Sequence, residues 1–193
     1  MHAIAHIELN AIDLAWDMVA RFDNPKLPRA FYDDWVRVAK DEAEHFALLS
    51  QRLVEMDVSY GDLPAHNGLW EAANNTRHDL LARLALVPMI LEARGLDSAP
   101  VAAAHLKANG DADTAAILEK IGQEEIPHVA AGVRWFEYVA ADRGLDPVTT
   151  FHELAATLFT GSIKPPFNAQ AREAAGMSEA YYRPYKRHKF NDD

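Results

Sequence analysis

Residues 41–56 read DEAEHFALLSQRLVEM, and residues 124–139 read EEIPHVAAGVRWFEYV. In both stretches apolar residues recur every three or four positions, the period of a helix with one buried face. The first stripe, extended backwards, gathers Phe31, Trp35, Val38, Glu42, His45, Leu49 and Met56; the second gathers Ile121, Glu125, His128, Gly132, Trp135 and Val139. A glutamate and a histidine three positions apart therefore stand in the middle of each stripe, where core residues belong. One helical turn separates the two members of each pair, so both can reach a common point.

The same periodicity organises the rest of the chain. It predicts a first helix from the N-terminus to about Phe22, stopped by Asp23-Asn24-Pro25, and a second from near Pro28 to about Asp57, broken by residues 60–64, YGDLP. A third is expected from about Asn75 to Arg94 with Gly95 as its C-terminal cap, then a short helical piece over 101–108 and a fourth long helix from about Asp113 to Arg143, closed by Gly144. Alternating strand patterns are nearly absent. The expectation is an all-α fold, a four-helix bundle over residues 1–145. Residues 146–193 read as a helical and irregular extension packed on it, with a short helix over 151–159, all within one domain. Tyr181, Tyr182 and Tyr185 read as packing residues. Lys186, Arg187 and Lys189 read as a small basic cluster on a solvated tail, with contact to RNA as the alternative.

The other two helices each offer one glutamate at matching depth. Glu8 lies between Ile4, Ala11 and Ala15, and Glu92 follows Leu81, Ala85 and Pro88. The spacing is close to a duplication: Glu8 to Glu92 is 84 positions, Glu42 to Glu125 is 83 and His45 to His128 is 83. Two hairpins, each with one lone Glu and one ExxH, reproduce the ligand scheme of dimetal carboxylate bundles. Four carboxylates in a core are very costly unless compensated, and two divalent ions neutralise them. Oxygen and imidazole ligands suit iron or manganese, singly or as a mixed pair.

Composition restricts the chemistry in the same direction. The chain has 193 residues, no cysteine, and a formal net charge of -10. Disulfides, thiolate zinc sites, cysteine-bound iron–sulfur clusters and a cysteine nucleophile are excluded. The acid excess argues against broad binding to nucleic acid or anionic membrane. The N-terminal stretch carries Glu8, Asp13 and Asp17 and no basic region, unlike a secretory signal, and no apolar run is long enough to span a bilayer. A cytoplasmic location is the expectation.

At these residues the chain resembles ferritin-like diiron proteins. It is similar in particular to the family catalogued as domain of unknown function 455, through HIELNAIDLAWD, DEAEHFALLSQRL, YGDLPAHNGLW, LEARGLD, EEIPHVAAGVRWF and KPPFNAQAREAAG, which run from His6 to Gly176. A more distant likeness, through residues 92–94 (Glu-Ala-Arg) and the acidic-Ala-x-His-Phe pattern ending at Phe46, links it to tRNA-modifying diiron hydroxylases. The resemblance implies Glu8, Glu42, His45, Glu92, Glu125 and His128 as metal ligands. Two features depart from the pattern. Glu8 stands only seven residues from the start, which implies a truncated start or a bundle capped differently. Pro88 and Pro127 each deny the helix a hydrogen bond beside a ligand, which predicts local curvature or widening of the π type.

The function these readings imply is an O2-dependent oxidoreductase of the hydroxylase kind, acting on a small molecule or a modified nucleotide such as one in tRNA, with an external electron donor. Glu8 and Glu92 would be terminal carboxylates and Glu42 and Glu125 bridges. The alternatives are a ferroxidase or iron-handling role, and a bundle in which the metal only holds helices together; a homodimer is a possible assembly. Asp41 and Arg94 are candidates for orienting the ligands, while Trp35 and Trp135 read as core and His66 and Asn67 as turn residues.

Overall fold

The computed structural model describes residues 1–183, and the basic cluster with Tyr185 lies outside the described residues. Within them the chain is all-helical. Helix α1 spans His2–Arg21 and α2 spans Arg29–Glu55. Ala5, Glu8, Ala11, Ala15 and Met18 form the buried face of α1, and Phe31, Trp35, Val38, Glu42, His45, Leu49 and Leu53 that of α2. The α2 stripe ends on Leu53, because Met56 already lies past the helix and is half exposed.

The third long helix is displaced from its expected place. It starts at Leu80, where the Asp79 side chain accepts from the Leu81 amide as N-cap, and runs as α4 (Leu80–Leu86), a π segment (Val87–Glu92) and α5 (Ala93–Ala108). Gly95 is therefore not a cap but an interior residue of α5, and the piece expected over 101–108 is the end of this same helix. Ahead of it a separate short helix that the periodicity did not predict, α3, spans Gly68–Asn75, so Asn75 ends that helix and does not begin the long one. Helix α6 spans Ala112–Asp142, capped at its start by Asp111 and followed by Gly144 at φ 67, a conformation that favours glycine.

The two prolines behave differently. Pro88 is buried inside the π segment, and Pro127 sits on the exposed side of a helix that stays α throughout. A carbonyl freed on the water side is hydrated at little cost, so nothing there requires a wider turn. Pro88 and the preceding turn at Leu84 are both buried, and here the helix takes the wider π register. The ring is accommodated because α6 carries Gly132 opposite it: a Cβ on Gly132 would lie 2.5 Å from Pro88 Cβ.

Helix α1 packs along α2, α5 along α6, and α6 also contacts α2, α4 and the π segment. The main core joins Phe31, Trp35, Leu84, Met89, Trp135 and Phe136, and a second cluster around Leu49, Leu53, Leu118 and Ile121 fills the opposite end. Buried Glu8, Glu42, His45, Glu125 and His128 lie on α1, α2 and α6 between these two apolar zones, and Glu92, at the end of the π segment, is half-buried. The remaining described residues fold as α7 (Pro147–Leu158), α8 (Ala169–Ala174) and α9 (Glu179–Tyr182). They lie over α5 and α6 through Phe151 against Phe136 and through Arg172, which pairs with Asp97 at 2.6 Å. Tyr181 and Tyr182 are buried, as packing residues should be.

Candidate metal centre

The heptad spacing that fills the core with Trp35, Val38, Leu49 and Leu53 also turns Glu42 and His45 inward, and α6 does the same with Glu125 and His128. All four are buried. Glu8 arrives from α1. One ligand atom each from Glu8, Glu42, His45 and Glu125 lie within 4.8 Å of one another, a buried group that can hold a metal ion.

The ring centres of the two histidines lie 5.9 Å apart, and Glu42 and Glu125 reach both rings. Glu42 sends one oxygen to each: Oε2 lies 3.3 Å from His45 Nδ1 and Oε1 lies 3.1 Å from His128 Nδ1. Glu125 divides its oxygens in the same way, Oε1 at 3.8 Å from His45 Nδ1 and Oε2 at 3.4 Å from His128 Nδ1. Glu8 stands at the His45 side only, 3.3 Å from Nδ1. Glu92 stands apart from the other five, with no hydrogen bond or ion pair, yet its carboxyl is close enough to be acted on by the charges of Glu125, Glu42 and His128.

Both histidines turn Nδ1 to the centre and Nε2 outward, and each outer nitrogen meets a carboxylate from the opposite helix. His45 Nε2 is 3.1 Å from Glu124, and His128 Nε2 is 3.4 Å from Asp41. An imidazole that donates its outer N–H in this way is fixed in tautomer and orientation for binding through the inner nitrogen. Asp41 stands where an orienting contact to His128 would require it. Arg94 does not, since it lines a cavity on another face of its helix. Glu124 was not legible as such, although the signal was present: an acidic residue directly precedes the glutamate of each ExxH, and Asp41 and Glu124 are again 83 positions apart.

Electrostatics shows strain in this cluster when it holds protons alone. Burial pushes Glu8 well above the usual carboxylate range, with the neighbouring Glu42 and Glu125 charges adding to the rise and His45 opposing it. Burial also raises Glu125, and raises Glu92 to about 8. For Glu42 burial pulls upward too, but His128 and His45 outweigh it and hold the group ionised. Burial would lower His45, and the Glu42 and Glu8 carboxylates overcome it, lifting it to about 10; His128 is raised by Glu125 and Glu42 in the same manner. One carboxylate thus sits between two imidazolium groups while its neighbours retain protons.

Among the described residues five buried side-chain atoms make no hydrogen bond, and three of them, Glu92 Oε2, Glu125 Oε2 and His128 Nδ1, belong to this cluster, the last two facing each other at 3.4 Å without hydrogen-bond geometry. Buried polar atoms are nearly always satisfied, so three together on neighbouring side chains mark a missing partner that accepts electron pairs from oxygen and nitrogen alike. A cation meets that requirement, and the six residues fit one or two.

No solved structure matches the chain significantly. It is 41% identical over 184 residues to an uncharacterized protein of Haemophilus influenzae, covering 93% of this chain and 64% of that relative, so the chain spans less than two thirds of the relative's length. The family model described as "Protein of unknown function (DUF455)" matches residues 1–183, and the chain belongs to that family.

Proposed function

We propose that this protein is a ferritin-like dimetal-carboxylate bundle and works as an O2-dependent oxidoreductase, with iron the leading metal and manganese or a mixed pair the alternative. The observation that carries the reading is the set of unpartnered Glu92, Glu125 and His128 atoms beside the compact group of Glu8, Glu42, His45 and Glu125. Glu8 and His45 would serve one ion, Glu92 and His128 the other. Glu42 and Glu125, each dividing its oxygens between the two histidines, would bridge. Four carboxylates and two neutral imidazoles then balance two divalent ions, removing the protons that burial imposes on the metal-free cluster. A bound iron pair supplies the capacity to activate O2 for oxidation of a substrate.

The chain's own residues have definable tasks. Asp41 and Glu124 hold the imidazoles with Nδ1 inward, and the apolar zones on either side keep water from the centre. The substrate would be a small molecule or a modified nucleotide, and the electrons would come from a separate donor in a reducing, cytoplasmic setting.

The test is anaerobic loading with ferrous iron followed by admission of O2, read by absorbance and O2 consumption. Uptake of two ions with rapid O2 consumption and continued turnover under a reductant supports the oxidoreductase. Consumption that stops after one oxidation of the bound iron favours iron handling. Binding that raises the melting temperature without O2 reactivity leaves a metal whose work is to hold the helices.

A further inference from the structure

Residues 159–167 cross the outer side of α5 and leave a cavity of about 390 Å3 beneath them. Its floor is apolar: Met89 and Ile90 come from the π segment, Val101 from α5, and Phe159, Ile163 and Phe167 from the crossing segment. The rim is charged. Arg94, Lys164 and Arg172 line it against a single acid, Asp97.

That acid is already fully engaged. Arg172 donates to Asp97 from Nη2 at 2.6 Å and from Nε at 3.0 Å, and the Asn168 amide donates to it at 2.8 Å. Arg94 and Lys164 are exposed, and neither makes a hydrogen bond or ion pair among the described residues. The lining therefore keeps two uncompensated positive charges, on a chain whose formal net charge is -10. The cavity faces away from the metal centre. Gly95 is the residue of α5 that approaches Glu125, its Cβ position 3.9 Å from Glu125 Cγ, and Ala99 lies against Gly122, while Arg94, Ser98 and Val101 turn to the cavity.

A half-open apolar floor gains from being covered by a hydrocarbon or aromatic body. Two free cations at one edge, one of them a guanidinium, select a carboxylate or phosphate over a neutral or cationic head. We propose that this cavity is a second binding site, distinct from the metal centre, for a small amphipathic organic anion whose apolar part lies on Met89, Ile90 and Phe167 and whose charged head lies between Arg94 and Lys164. Its floor is formed by the π segment that also carries Glu92, so the two sites share one structural element.

Calorimetric titration of the full chain with decanoate tests this, run on metal-free and metal-loaded protein. Saturable binding to one site is expected in both, weakened about tenfold by Arg94→Ala and by Lys164→Ala and at least tenfold weaker for decanol, which has the same chain without the charge. Val101→Glu should abolish it by placing a negative charge in the cavity; Val101 is 48% exposed, so the fold tolerates the change, and an unaltered melting temperature verifies this. No binding of decanoate to the wild type, equal binding of decanol, or full retention of decanoate binding in the Arg94→Ala, Lys164→Ala double variant would overturn the proposal. None of these outcomes depends on the identity or presence of the metal, so a failure here and a failure of the dimetal reading are separately visible.

Discussion

Around His45, Glu8 and Glu42 close in at 3.3 Å each and the inner nitrogen bonds to Glu42. Around His128 the carboxylates come as near, with Glu42 at 3.1 Å, yet the inner nitrogen makes no hydrogen bond and Glu92 keeps a buried oxygen with no partner. The two halves contain the same kinds of residue in the same order. What separates them is the backbone beneath: Glu8 rides on an uninterrupted α-helix, and Glu92 closes a π segment that begins beside Pro88. A near-duplication in sequence thus sets the inventory of each half, and helix geometry sets how far that inventory is organised before a cation arrives.

The largest effect should come from removing what the halves share. Glu125→Ala deletes a carboxylate that faces both histidines, and metal content should fall from two ions to fewer than one per chain by elemental analysis. Next come the outer partners, which cross between halves: Asp41→Ala should weaken the ion at His128, and Glu124→Ala the ion at His45, each by about 10–100-fold. A two-site metal titration should show one affinity lowered and the other kept, and the opposite pattern in the other variant. Both affinities falling together would remove the crosswise assignment. Gly132→Ala tests the role of the backbone. The new Cβ would stand 2.5 Å from Pro88 Cβ, so the π segment must move; a loss of about 1–3 kcal/mol in chemical denaturation and a weaker Glu92 half are expected.

The most general effect is that of pH. Metal-free, His45 holds its proton up to about pH 10 and Glu92 up to about pH 8, both above their unfolded values near 6.5 and 4.5. A raised folded pKa contributes stability that is present below the unfolded value and is lost as pH rises through the folded one. The metal-free protein should therefore lose stability between about pH 4.5 and 10, while metal binding, which expels these protons, strengthens over the same interval. Melting curves with and without metal from pH 5 to 9 should diverge as pH rises. Parallel curves would mean that the cluster binds metal without giving up protons.

Much of this was legible in the sequence because it depends on spacing along one helix. Glu42 with His45 and Glu125 with His128 face inward for the reason that Trp35 and Trp135 do, and three-and-four periodicity reports all of them. Gly95 misled, because a glycine after an arginine at the end of an apolar stripe has the signature of a cap. Its actual setting, beside Glu125 in the packed α5–α6 contact, is a tertiary fact. The prolines illustrate the same limit: both deny a backbone hydrogen bond, and burial alone makes Pro88 widen the helix and leaves Pro127 without that consequence. Glu124 has a 41% exposed side chain and pairs with Lys120, as an ordinary surface residue would; its bond to His45 exists only once α2 and α6 are docked.

Six residues on four helical segments would hold two ions in one centre. The most direct measurement is the number of ferrous ions bound per chain in an anaerobic equilibrium titration, for the wild type and for the Glu92→Gln, His128→Ala double variant. Two ions are expected in the wild type and one in the variant, retained by Glu8, Glu42, His45 and Glu125. No binding in the wild type, or the same stoichiometry in both proteins, would contradict this.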